Sequence, residues 1–313
     1  MARVVLVTGV SSPLAARVAQ TLGEEPGVRR VIGADSSPPP ADSEGFEYAH
    51  VDLHDGSLDR IVTDSGADLV LHLGLDNQGS PNREENVLGT MRVLGAAQRS
   101  STVRRLVVRS TATLDADDAS EVERHTRGLQ RRRPDLSVAV LRFANLIGPS
   151  VSTPLTRYLD SRFVPTVLGR DPHVQFLHED DGVEALVRMA LSDGTGFFDV
   201  AGADAVPLSH CLRRVGGQRL PVPARGLRML RGLARHGRID YASSSASRAV
   251  RAGLDTSGMD SGSLERVLDW SPAYTSAEAF ESYADSRRSG LTSSRGGLRP
   301  IHVIVLARST LGR

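Results

Sequence analysis

Short apolar runs separated by stretches of helical spacing dominate the first half of the 313-residue chain. Arg3–Val7 is one such run, closed by Thr8-Gly9. Val31–Ala34, Phe46–Val51, Asp68–Leu73, Arg105–Val108 and Val138–Leu141 repeat it. Brief runs without strict polar alternation read as strands buried on both faces. Between them, Pro13–Leu22 opens with proline in its first turn, and Glu84–Arg99 sets Val87, Met91, Leu94 and Gly95 on one side, both the marks of covering helices. Strand and helix alternating in this order predict an α/β architecture, a right-handed doubly wound parallel sheet.

The second half is less regular. Thr153–Leu168 reads as helix and loop, Val174–Leu177 and Phe197–Val200 as short strands. Gly182–Leu191 reads as a helix with Val183, Leu186, Val187 and Ala190 on one face. Leu227, Leu230, Leu233 and Ala234 recur at helical spacing between Pro221-Val222-Pro223 and Gly237, with Arg225, Arg228, Arg231, Arg235 and Arg238 around them. That pattern fits a surface helix or a helical lid over a pocket. Ser286–Arg299, rich in Ser, Gly and Arg, reads as a flexible linker, and Ile301–Ala307 is strand-like but outside the pattern. The expected organisation is a dinucleotide-type domain over 1–155, with 173–203 returning to it. A smaller C-terminal substrate domain and lid take 156–172 and 204–288, and 289–313 form a flexible tail.

Composition narrows the chemistry. All 38 basic residues are arginine, so a lysine Schiff base, a P-loop lysine and a Tyr-Lys acid–base pair are excluded. One cysteine, Cys211, rules out an internal disulfide framework and suits a reducing cytoplasm. No apolar run approaches a membrane span, and the apolar start is too short for a secretory leader, so it reads as a buried strand. A net charge of +1 gives no argument for nucleic acid. The nine histidines include no HExxH, and Gly-x-Ser-x-Gly is absent.

The strongest site signal is Thr8-Gly9-Val10-Ser11-Ser12-Pro13-Leu14-Ala15, directly after the first strand. A tight strand-to-helix turn aims backbone N–H groups and the positive helix end at a pyrophosphate. Gly9, Ser11, Ser12, Pro13 and Leu14 are therefore the candidate phosphate cradle. Asp35, followed by Ser36, ends the second strand, where a carboxylate accepts ribose hydroxyls. Asp52 follows the third strand, beside an adenine edge.

Together these segments resemble the extended short-chain dehydrogenase/reductase family, the NAD-dependent epimerase/dehydratase family, over residues 1 to about 285. The glycine turn resembles Thr-Gly-x-x-Gly-x-x-Gly with Ser12 and Ala15 in place of two glycines. Val51-Asp52-Leu53 resembles the adenine-binding turn, and His72-Leu73-Gly74-Leu75 the cofactor-lining segment. Asn86-Val87-x-Gly89-Thr90, the segment from Leu141 through Phe143-Ala144-Asn145 to Gly148-Pro149, Gln175-Phe176-Leu177-His178 and Trp270-Ser271-Pro272 match further landmarks. The resemblance implies a Rossmann-type fold and a bound nicotinamide dinucleotide, with Phe143, Ala144 and Asn145 bordering the nicotinamide.

The resemblance also implies a Ser/Thr near the end of strand five and a later Tyr-x-x-x-Lys. Thr111 stands at the first position and is the candidate catalytic residue. Asp115 and Ala119 stand where Tyr and Lys belong, and no tyrosine occurs between Tyr48 and Tyr158. A sugar-nucleotide epimerase, which needs a recyclable base, fits this least. A reductase whose substrate supplies its own proton fits better, and an inactive dinucleotide-binding redox sensor is the alternative. An extended-type reductase without Tyr or Lys, this chain resembles the atypical ketoreductases of angucyclinones. They imply NADPH, a helical lid and a hydroxylated aromatic polyketide ketone as small-molecule substrate, whereas Asp35 alone points to NADH. No nucleic-acid or membrane partner is expected, and the chain is expected to be a monomer or homodimer. His125, on the helix that lacks the dyad, reads as a solvated residue ahead of a substitute acid. Arg131-Arg132-Arg133 reads as a cationic helix end, and Glu179-Asp180-Asp181 as acids at a helix start.

Overall fold

The computed structural model describes residues 3–52, 56–74, 83–111, 116–223 and 258–293. The first half runs β1 (Arg3–Thr8), α1 (Pro13–Glu24), β2 (Val28–Asp35), β3 (Glu47–His50), α2 (Ser57–Asp64), β4 (Leu69–His72), α3 (Arg83–Arg99), β5 (Arg105–Thr111), α4 (Ala116–Arg132), β6 (Ser137–Phe143) and β7 (Asn145–Ile147). The second half adds α5 (Pro154–Leu159), β8 (Phe163–Val167), β9 (His173–Val174), β10 (Phe176–His178), α6 (Glu179–Leu191), β11 (Gly196–Val200), β12 (Val206–Pro207), α7 (Leu208–Val215), β13 (Gln218–Val222), α8 (Gly262–Leu268) and α9 (Ser276–Ser293).

Seven strands form one parallel sheet in the order β11-β6-β5-β4-β1-β2-β3. The apolar runs are buried on both faces because helices cover both. Side chains alternate across each strand, so Val5 and Val7 of β1, Val107 of β5 and Leu141 and Phe143 of β6 pack on the side of α1 and α6. Val4, Leu6, Leu106, Val108, Val138 and Val140 pack on the opposite side, with Val93 and Ala97 of α3 and Leu129 of α4. A third core joins α5, β10, α7 and α9 through Tyr158, Leu159, Phe176, Leu212, Phe280 and Tyr283. It lies beside short paired strands: β7 with β10, β8 with β13 and β9 with β12.

Three local expectations change. Ser57–Asp64 is a helix that the apolar pattern left unassigned, since eight residues carry too few periodic positions. Phe163–Val167, expected as part of a helix and loop, is a strand paired in parallel with β13. The expected linker from Ser286 is helical through Ser293, because α9 continues past its buried face of Phe280, Tyr283 and Ala284. The expected lid helix around 227–238 and the strand-like run 301–307 lie outside the described residues.

Arg133 also has a more specific role than a cation at its own helix end. Its guanidinium reaches the C-terminus of α3 and donates to the carbonyls of Gln98 and Ser100 at 2.8 Å each. Longer bonds go to Ala97 and Val103, while Asp135 holds the other edge of the fork at 2.8 and 2.9 Å. The last carbonyls of a helix have no partner within it, so one planar cation satisfies several. Arg133→Ala is expected to lower stability by about 2 kcal/mol, the scale of a lost charged hydrogen-bonding group. Arg133→Lys should recover only part of this, because an ammonium cannot span the same fork. Denaturant midpoints of the three proteins check it; equal midpoints would assign the cap no weight.

Candidate functional site: one edge of the parallel sheet

Every parallel strand ends at the same edge, and that edge gathers the residues singled out from sequence. Thr8 ends β1, Asp35 ends β2, His72 ends β4, Thr111 ends β5 and Phe143 ends β6. The crevice outside the carboxyl ends of such strands is where ligands bind in open α/β sheets. Asp52, Leu73 and Gly74 follow their strands directly, and Ala144 and Asn145 follow Phe143. Leu53 and Leu75 lie outside the described residues.

The turn after β1 is built around close backbone approach. Gly9 has φ +89°, and a Cβ there would lie 2.5 Å from the Cα of Gly74 and 2.9 Å from the carbonyl carbon of Leu73. Only glycine permits both that conformation and that contact. Ser12, standing where the family pattern has its second glycine, has φ −82° and ψ 139°, ordinary extended backbone for an L residue. It caps α1, its hydroxyl accepting from the N–H of Ala15 at 3.3 Å. Ser12 thus leaves the turn unstrained. Pro13 at the first helical position brings no N–H, and Ser11's N–H donates to Asp35 Oδ2 at 3.0 Å. Leu14 holds the next N–H facing out of the first turn, in the place where an anion is bound. A tight turn that leads into a capped helix start, with the Leu14 N–H directed out of the first turn, fits the pyrophosphate of a dinucleotide.

Asp35 gathers several partners around the end of β2. Besides Ser11, its carboxylate receives longer contacts from Ser36 Oγ and the Ser37 N–H, each 3.4 Å, and Tyr48 Oη donates to its carbonyl at 3.1 Å. The backbone of Asp52 is held by Ser57, whose hydroxyl accepts from the Asp52 N–H and donates to its carbonyl, both at 3.0 Å. Ser57 begins α2, so the unassigned helix sets the position of the turn after β3.

A buried polar chain braces the edge from below. His72 Nδ1 lies 2.7 Å from Thr8 Oγ1, and its Nε2 lies 3.0 Å from Thr90 Oγ1, linking β1, β4 and α3. Burial lowers the His72 pKa to about 4, so the ring is neutral at pH 7. Its sequence signal was only membership of a cofactor-lining segment; the two threonines lie 64 and 18 residues away.

Thr111 is buried and is the register partner of Phe143, so the two form a ledge at the edge of β5 and β6. Asn145 is fixed by donation from Nδ2 to the Gln175 carbonyl at 3.1 Å. Behind the ledge, buried Arg109 sets its guanidinium carbon 5.4 Å from the Phe143 ring centroid. Burial lowers its pKa to about 10, so it stays protonated at pH 7. Nothing in the sequence separated Arg109 from the other arginines.

No described tyrosine replaces the missing dyad on α4. Tyr48 sits by Asp35, Tyr274 stacks on His178 at 3.9 Å, and Tyr158 and Tyr283 donate to the Pro165 carbonyl and to Asp160. Burial pushes the last two phenols up in pKa, away from use as a base. His125 is partly exposed, 3.7 Å from Glu121 one turn back, in the solvated position expected for it. Glu179 and Asp181 depart from the expectation of mere helix-start acids. Both are buried: Glu179 accepts from the Ser150 hydroxyl and N–H, and Asp181 from the N–H groups of Ala273 and Tyr274.

The model of the NAD dependent epimerase/dehydratase family matches residues 5–197. The chain belongs to that family. An uncharacterised protein of Mycobacterium tuberculosis strain H37Rv is 31% identical over 324 aligned residues, covering 93% of this chain and 85% of that protein. Among solved structures, MoeE5 in complex with UDP-glucose and NAD superposes with a TM-score of 0.69 at 20% identity, covering 92% of this chain and 99% of that one. UDP-glucose 4-epimerase of Thermotoga maritima with UDP-glucose gives 0.68 at 15% identity, with the same coverages. At these identities the structures bear on the fold alone. No helix among the described residues is long and apolar enough to cross a membrane. No cluster of potential metal ligands occurs among them either.

Neutral His72 carries a pH consequence. The unfolded ring binds a proton near pH 6.5 and the folded ring only near 4, so the unfolded state gains protons between them. The contribution is complete above pH 6.5 and is lost as pH falls toward 4, by up to about 1.4 kcal/mol per pH unit. His72→Gln, which keeps a donor and an acceptor, should flatten this slope in urea midpoints measured from pH 7 to 4. An unchanged slope would place the acid sensitivity elsewhere.

Proposed function

We propose that this protein is an NAD(H)-dependent ketoreductase acting on a ketone that carries its own acidic hydroxyl, a hydroxylated aromatic ketone of angucyclinone type. The observation that carries the reading is the combination at the sheet edge. A close turn into a capped helix start and the Thr111–Phe143 ledge lie at that edge, while α4 carries neither Tyr nor Lys. Family membership supports the nicotinamide cofactor, and the aromatic substrate rests on the missing dyad.

Reduced dinucleotide, when bound, supplies a hydride to the carbonyl carbon. The Leu14 N–H and the Ser12 hydroxyl would hold its pyrophosphate over the close turn at Gly9, and Asp35 would hold its adenosine ribose. Thr111 donates a hydrogen bond that orients and polarises the carbonyl, a role that needs no proton of its own. The proton reaching the carbonyl oxygen comes from the substrate's neighbouring phenol, which recovers one from water. Asp35 favours NADH, because the 2′-phosphate of NADPH would face its carboxylate.

Two further readings have specific support. Structural likeness to enzymes of UDP-sugars favours a sugar-nucleotide epimerase, but that reaction must take a proton from an alcohol and return it. The absence of the Tyr-Lys dyad from α4 favours a non-catalytic sensor of the dinucleotide's redox state.

Consumption of NADH and NADPH with a peri-hydroxy angucyclinone ketone, beside its O-methyl ether, tests the proposal. Rapid turnover of the phenol with little of the ether is expected, with NADH preferred. Equal rates would point to an acid on the protein. Turnover of UDP-glucose in its place would support the epimerase, and tight binding without any turnover the sensor. Thr111→Ala should lower kcat by about ten- to a hundredfold, as for one lost donor to a developing oxyanion. Asp35→Asn should weaken NADH binding about tenfold and NADPH binding less.

A further inference from the structure

β5 directs Arg105, Val107, Arg109 and Thr111 to one face of the sheet, since side chains alternate along a strand. Both arginines are buried, yet their surroundings differ. Arg105 donates to Ser137 Oγ at 2.7 Å and to the carbonyls of Met189 and Gly194. Among the described residues Arg109 has no such ring of acceptors: its Nε, like that of Arg105, is buried without a partner, but no oxygen among them accepts from its Nη atoms and no carboxylate among them forms an ion pair with it. The ring of Phe143 is its near neighbour, and that ring in turn packs against Gly182 and Leu146. An unanswered charge in apolar surroundings is strongly unfavourable, and a leucine or methionine would pack there at no such cost.

We infer that Arg109 is an electrostatic residue of the dinucleotide site, whose unanswered positive charge favours the uncharged reduced nicotinamide over the cationic oxidised ring. The inference rests on the reading that a nicotinamide dinucleotide binds at this edge. Arg109 lies two residues behind Thr111, about 7 Å along the strand, with its guanidinium beside the ring of Thr111's register partner. A nicotinamide on the Thr111–Phe143 ledge would feel the charge from about 10 Å, through protein and not through bulk water. At an effective dielectric near 20, that repulsion amounts to roughly tenfold in affinity. Adenosine and pyrophosphate are the same in both redox forms, so their contacts cancel from the affinity ratio. The ratio therefore reports the field at the nicotinamide alone. The Arg109 charge persists at pH 7 despite its burial.

Titration calorimetry of the full chain with NADH and with NAD+ tests this, using wild type, Arg109→Met and Arg109→Lys. NADH is expected to bind about tenfold more tightly than NAD+ to wild type. In Arg109→Met the ratio should fall toward one, mostly through tighter NAD+ binding, while Arg109→Lys keeps the preference. A structural role for the side chain would weaken both forms together and leave the ratio alone. Equal affinities in wild type, or the wild-type ratio persisting in Arg109→Met, overturns the inference while leaving the dinucleotide reading intact. Binding of neither form to folded wild type overturns that reading and the inference with it. Arg109→Gln serves as a second neutral variant should the methionine one fail to fold, and the wild-type ratio stands as a test without either.

Discussion

The contact between two turns at Gly9 and Gly74 is the constraint on which the site depends. A side chain on Gly9 would collide with the backbone after β4, so the turns after β1 and β4 touch because Gly9 carries no Cβ, whereas one on Gly74 would meet Gly9 only at ordinary contact distance. That contact sets where α1 begins, and the Ser12 cap then fixes the direction of its N–H groups. The neutral Thr8–His72–Thr90 chain holds the same two strands one layer deeper. The start of α1 and the turn after β4, the region proposed to take the cofactor, are thus set by one steric exclusion and one buried hydrogen-bond chain.

Much of this was legible in the sequence. Apolar runs identify the central strands because a parallel sheet buried on both faces leaves little room for polar alternation. Glycine, serine and aspartate at strand ends identify the cradle because few other residues fit a tight turn or accept from a ribose. Short elements were less legible: α2 offers only two turns of pattern, and β8 owes its existence to pairing with β13, more than fifty residues away. Ser12 shows the limit of motif comparison. A missing glycine reads as a degraded turn, yet the backbone there has a negative φ that any residue adopts.

Charged residues were the least legible. Arg105, Arg109 and Arg133 look alike in a chain whose basic residues are all arginine, but their surroundings give them three different roles. Arg133 satisfies the end of a neighbouring helix, the terminal nitrogens of Arg105 meet several oxygen acceptors, and Arg109 has no counter-charge among the described residues. Glu179 and Asp181 read as ordinary acids at a positive helix end, whereas both are buried and hold distant loops through backbone N–H groups. Such roles depend on partners tens of residues away, which local spacing does not encode.

The Arg109 charge also bears on which chemistry the edge can support. Hydride transfer to a ketone turns a neutral pair into a cationic ring and an anionic oxygen, with no change in total charge. Since both form on the same ledge, attraction to the oxygen at Thr111 largely offsets repulsion of the ring, and the chemical step feels little of the field. Binding and release involve the ring alone and feel all of it. On the inference above, the bias would favour loading of the reduced cofactor and release of the oxidised one without a matching cost to the transfer between them. A reductase gains from this on every turnover, and a sensor gains its discrimination from the same source. An epimerase gains nothing, because its cofactor must stay bound in both forms while the sugar is oxidised and reduced again.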